Sequence, residues 1–176
     1  MVPWQNGAGT ETGSSSREYG LTFEIEPPAS VRPGVAFTFP VIVAVRPVGA
    51  ASNDPLQQLG ASVLLRDETG TRSLLGLTGS TTSSVRSRNG NTTSGYARFG
   101  PLTLTNPGRY RLRVMLALNT SGGMTTRAFI DTTIIHVHAG AAASQNPTPA
   151  QVSRLQSLIP ENIDISQADI TAWQHA

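Results

Sequence analysis

The chain has no cysteine. That excludes a disulfide framework, a thiolate metal site and a cysteine nucleophile, and it suits a reducing compartment. Lysine is missing too, so all 13 basic residues are arginine. No apolar run approaches the roughly 20 residues that span a bilayer, so no membrane partner is expected. Residues 1–20 are polar, without a basic region leading into an apolar one, and no secretory signal is expected. The sequons Asn91-Thr92-Thr93 and Asn119-Thr120-Ser121 then read as chance in a threonine-rich chain. Catalytic patterns are also missing. There is no Gly-x-Ser-x-Gly elbow, no phosphate loop and no His-Glu-x-x-His, so the chain is read as a non-enzyme that needs no cofactor. His136 and His138 share one strand face as a conceivable ligand pair, but no third ligand stands nearby, and ordinary surface histidines are the plainer account.

One absence is local. Between Thr69 and Ile130 there is no Asp or Glu, while Arg72, Arg86, Arg88, Arg98, Arg109, Arg111, Arg113 and Arg127 all fall there. A block this one-sided can steer an anionic partner; scattered over both faces of a sheet, it would do little. The net charge of the whole chain is only +2.

What is present is a pattern of strands. The 176 residues are 38% hydrophobic and 14% charged, which suits one folded domain. Leu21, Phe23 and Ile25 alternate with Thr22, Glu24 and Glu26, the period of a half-buried strand. Residues 37–46 predict a second strand with Phe37, Phe39, Val41, Val43 and Val45 on one face and Pro40 at an edge or bulge. Shorter strands are expected at 61–66, 71–77 and 81–86, with Asp67-Glu68-Thr69-Gly70 as a turn. Residues 96–104 and 124–138 each read as one strand. Between them, residues 109–118 give the clearest one, with Tyr110, Leu112, Val114 and Leu116 facing in. Only after residue 140 does a helical stripe appear: Thr148 as cap, then Val152, Leu155 and Leu158. Ile163 and Ile165 suggest a short last strand. The expectation is a flexible leader over 1–19, one all-β sandwich over 20–166 and a tail over 167–176.

Several of these segments together resemble a known family. They are Leu21-x-Phe23-x-Ile25-x-Pro27-Pro28, then Phe37-x-Phe39-Pro40-Val41-Ile42-Val43, then Leu64-Leu65-Arg66-Asp67 and Leu77-Thr78-Gly79-Ser80. Tyr96-Ala97-Arg98-Phe99, Gly108-Arg109-Tyr110-Arg111-Leu112-Arg113-Val114, Ile135-His136-Val137 and Ile163-Asp164-Ile165 follow in order. The chain resembles the fungal velvet domain over roughly residues 21–166. The resemblance implies an immunoglobulin-like, Rel-like β-sandwich with a short C-terminal helix. It implies a transcriptional regulator of development and secondary metabolism, including sporulation. It further implies homo- or heterodimers with other velvet proteins, contact with double-stranded DNA, and a nuclear location with a cytoplasmic one also open. The family carries a dense basic stretch between its first two strands. Here residues 27–38 contain only Arg32, so the resemblance is to a divergent member. An interaction-only module without DNA contact, or an unrelated adhesion or structural sandwich, are the alternatives.

The candidate DNA contacts are Arg32, Arg86, Arg88, Arg109, Arg111 and Arg113. The last three alternate, so they share a strand face at steps of about 6.6 Å, close to two phosphate repeats of about 3.4 Å each. Guanidinium groups hold phosphate in bidentate fashion. Arg86 and Arg88 sit beside Asn89-Gly90, a turn signal, and Arg32 enters by position in the resemblance. The plainer alternative is a solvated face whose arginines pair with acids on neighbouring strands.

Overall fold

The computed structural model describes residues 18–48, 58–88, 94–120 and 122–176. Trp4, Asn53 to Pro55, Asn89 to Thr93 and Ser121 lie outside the described residues. In chain order come β1 (Glu18–Ile25), β2 (Ser30–Val31), β3 (Val41–Val48), β4 (Gln58–Asp67), β5 (Ser73–Leu74) and β6 (Leu77–Gly79). Next are β7 (Thr82–Ser84), β8 (Gly95–Phe99), β9 (Leu102–Leu104), β10 (Gly108–Thr120), β11 (Gly123–Asp131) and β12 (Ile135–Val137). Helix α1 (Pro149–Leu158), a 3₁₀ turn (Ile159–Glu161) and helix α2 (Gln167–Gln174) complete the chain.

One sheet runs β1-β3-β8 and the larger one β2-β12-β10-β4-β5, with β11 also on β10 and β7 also on β4, while β6 and β9 pair as a two-stranded sheet beside them. Strand β10 is the spine. It pairs with β4 from Tyr110 to Asn119, while β12 and then β11 line its other edge. Leu112, Val114 and Leu116 of β10 are buried against Val41, Val43, Val45, Ala97 and Phe99 of the smaller sheet. Each such side chain contributes about 1.5–3 kcal/mol by leaving water. Strand β3 is buried on both faces, which is why it reads as an unbroken apolar run. Its Ile42 turns away from the sandwich core into a second cluster with Ile25, Phe39, Leu155, Leu158, Ile163, Ile165 and Ile170. The molecule therefore has three layers: large sheet, small sheet and a C-terminal cap.

Several expectations from the sequence need correction. Ile25 does not share a face with Leu21 and Phe23. A bulge between Phe23 and Ile25 shifts the register, so Leu21 and Phe23 pack on the sandwich core while Ile25 packs under the cap. Phe37 and Phe39 precede β3 instead of extending it, and they enter different cores. Their backbone is held from far away: Phe37 N–H donates to Leu102 O, and Thr38 exchanges two hydrogen bonds with Gln145. The stretch 96–104 is two strands in different sheets, because Pro101 has no N–H to carry a ladder across. Residues 71–77 hold only the two-residue β5 and the start of β6, and 81–86 only β7 with Arg86 as an isolated bridge to Tyr96.

The stretch 124–138 breaks at Thr132. This buried threonine accepts from Leu112 N–H at 3.0 Å and donates to Thr133 O at 2.7 Å, so its hydroxyl stands in for a ladder bond. Ile163 and Ile165 are buried but form no strand, since Asn162 and Asp164 flank Ile163 with φ of 66° and 62°. Residues 167–176, read as a tail, contain α2, whose Ile170 is fully buried. Both helices start with a capping box, Thr148 with Gln151 and Ser166 with Asp169. Arg154 of α1 also reaches Glu24 of β1 at 3.3 Å. Among the described residues, no helix is long and apolar enough to cross a membrane.

The entry to β10 carries a further signature. The Tyr110 hydroxyl donates back to Pro107 O at 2.9 Å and to Asn106 O at 3.1 Å. This is a tyrosine corner, a feature of immunoglobulin-like sandwiches. It explains Gly108-x-Tyr110: a Cβ on Gly108 would lie 2.8 Å from the Tyr110 hydroxyl oxygen, at a φ of +150°. The fold is an all-β, immunoglobulin-like sandwich with a helical cap.

Tyr110→Phe should lower stability by about 1 kcal/mol. Gly108→Ala should cost more, about 1–3 kcal/mol, because the ring must swing off both acceptors and the backbone is strained. Urea unfolding measures both; a neutral Gly108→Ala would show that the corner is not tight.

Candidate functional site

Strand alternation puts Arg109, Arg111 and Arg113 on the outer face of β10, as their spacing predicts. Arg66 of β4 stands opposite Arg111. Four like charges on adjacent strands repel unless they are compensated. Compensation comes from the two ends of the acid-free stretch. Glu68, just before it, accepts Arg109 Nε at 3.1 Å on its carboxylate and Arg111 Nε at 2.7 Å on its carbonyl. Asp131, just after it, takes Arg113 in bidentate fashion at 2.7 and 2.9 Å. Arg111 also donates to Thr132 O at 2.9 Å. Gly70 O accepts from both Arg66 and Arg113, and the Arg113 guanidinium lies 4.1 Å from the centroid of the Phe129 ring. The Arg113 side chain is only 12% exposed.

The turn that supplies these acceptors is itself tied. The Asp67 carboxylate accepts from Thr71 N–H at 2.8 Å and from the Thr69 hydroxyl at 3.0 Å. Desolvation pushes its pKa up, but these bonds outweigh it and hold the carboxyl at about 2.

Arg86 and Arg88 lie elsewhere. Arg88 donates Nε and Nη2 to Glu161 at 3.2 and 2.8 Å, and its backbone N–H adds a third bond. Arg86 bonds Ser84 Oγ at 3.0 Å and lies 3.9 Å from Asp164. These two residues form a clasp between the sandwich and the C-terminal cap. Arg32 donates to Ala141 O at 2.6 Å. The six candidate arginines thus occupy three places, and each has a partner within the chain. His136 and His138 pack against each other, ring centroids 4.2 Å apart.

Sequence reasoning did not find a concavity that the fold creates. A groove of about 600 Å³ runs along β4 and β7, with Ala117 and Met124 among its lining on one flank and Arg98, Ile163 and Asp164 on another. Strands β7 and β8 approach there without a regular ladder, and Arg98 N–H finds the Ser83 hydroxyl at 3.2 Å instead of a strand carbonyl. The Arg98 Nε is buried with no hydrogen-bond partner. Its outward position on β8, shared with Tyr96, was the only sequence signal.

No family model and no curated protein matches this chain. Among solved structures, it is similar to a cohesin module from the Clostridium perfringens ATCC13124 family 33 glycoside hydrolase. The identity is 8%, the TM-score 0.39, and the match covers 74% of this chain and 100% of that one.

The clasp gives a pH prediction. The Arg88 guanidinium bonded to Glu161 holds that carboxyl below its ordinary value of 4.5. A depressed folded value means the clasp contributes fully above the unfolded pKa and loses its contribution as pH falls through the folded one. Glu161→Gln should therefore melt below the parent at pH 7, with the gap narrowing at pH 3. A gap that stays constant between the two would show that ionisation of Glu161 contributes nothing.

Proposed function

We propose that this chain is a velvet-like transcriptional regulator that acts as a non-catalytic interaction module. It forms a homo- or heterodimer with another velvet-type sandwich in the nucleus, and its β10 arginines serve its own fold, not DNA. The velvet-like part rests on the ordered segments over residues 21–166. The most specific of these, Gly108 to Val114, makes the tyrosine corner and the core row of β10.

One observation carries the interaction reading. Arg109, Arg111 and Arg113 are bonded to Glu68, Thr132 and Asp131. A phosphate would have to displace those partners, and a charge already paired inside the protein releases fewer counterions on binding.

The test is fluorescence anisotropy on mixed-sequence duplex DNA across a salt series, with light scattering for mass. The expected result is a dimer mass, and DNA binding that is weak and unchanged in slope by Arg111→Ala/Arg113→Ala. A monomer that binds DNA tightly, with a log–log salt slope that shallows by about 1–2 units in the double variant, would overturn the proposal.

A further inference from the structure

We infer that the groove along β4 and β7 is a binding site for a small oxyanion, a carboxylate- or phosphate-bearing molecule anchored by Arg98. Three features meet there. The first is the anchor. Arg98 Nε is withdrawn from water and unpartnered, which is costly for a donor on a permanently charged group. Arg109, Arg111, Arg113, Arg88 and Arg66 all have acceptors by contrast. Arg98 lines the groove, and an oxyanion there would draw its guanidinium outward, exchanging a buried unpartnered Nε for the charge-assisted pairing that guanidinium favours.

The second feature is volume. About 600 Å³ falls within the range of roughly 300–1,000 Å³ that small-molecule sites occupy. The third is the lining. Ser62, Ser80 and Thr82 bring hydroxyl-bearing side chains to its lining. Such hydroxyls can donate to the remaining oxygens of a polar ligand. Two arginines, Arg86 and Arg98, face one carboxylate, Asp164, so the lining carries a net positive charge. The contact between Arg86 and Asp164 is long, at 3.9 Å, and both side chains are substantially exposed. Arg86 can therefore turn toward a ligand without breaking a tight pair.

The site also touches the cap. Arg98 stands opposite Ile42 in the β3–β8 register, and Ile163 of the C-terminal segment lines the same groove. A ligand held there contacts sandwich and cap together and raises the stability of both.

The probes are inorganic phosphate and succinate, titrated at constant ionic strength by calorimetry and by thermal midpoint. The expected result is saturable binding of at least one probe with a Kd at or below about 1 mM, and a midpoint that rises with probe concentration. Whichever binds tighter identifies phosphate or carboxylate as the natural group. Arg98→Gln should weaken that binding by about tenfold or more, with Arg98→Lys recovering part of it. Absence of saturable binding by the wild-type chain for both probes would overturn the inference. Equal binding by wild type and a folded Arg98→Gln variant would also overturn it.

Discussion

Strand β10 cannot be satisfied by one neighbour. Its pairing with β4 on one edge, and with β12 and β11 on the other, fixes which side chains face in and which face out. A slip of one residue would exchange the two sets. In the observed register the aliphatic row meets the smaller sheet, and the arginine row has to be neutralised where it stands. The position of the Asp67–Gly70 turn and the break at Thr132 follow from that need, because they carry Glu68, Gly70 O, Thr132 O and Asp131 to the guanidinium groups.

This arrangement changes the meaning of the acid-free stretch. Along the chain it looks like a block of unopposed positive charge. In space its boundary residues fold over part of it: Glu68 and Asp131 set carboxylates against Arg109 and Arg113, and the carbonyls of Glu68 and Thr132 take up Arg111. Arg88 repeats the theme with Glu161, 73 residues away. Among the described residues, Arg98 holds a buried Nε with no hydrogen-bond partner, and no count of residues along the sequence would single it out.

Strand periods, the Asp67–Gly70 turn and the Thr148 cap were legible because each depends on neighbours within a few residues. The bulge before Ile25 was not, since it turns one side chain toward a helix more than 120 residues later. Pro101 was visible as a residue, but its effect, handing the chain from one sheet to another, depends on β6 and Ser80. Helix α2 is short with only a weak apolar stripe, and the packing of Ile170 and Trp173 on the second core gives it a place. The arginine row was legible as a row; its partners were not.

The most direct test of the account is the behaviour of the guanidinium protons themselves. In an arginine-labelled sample, hydrogen exchange at Nε of Arg88, Arg111 and Arg113 can be followed by NMR with and without duplex DNA. The account predicts slow exchange at all three, unchanged when DNA is added. Fast exchange in the free protein, or shifts at Arg111 and Arg113 that saturate with DNA, would contradict it and return the arginine row to the role of a phosphate-contacting surface.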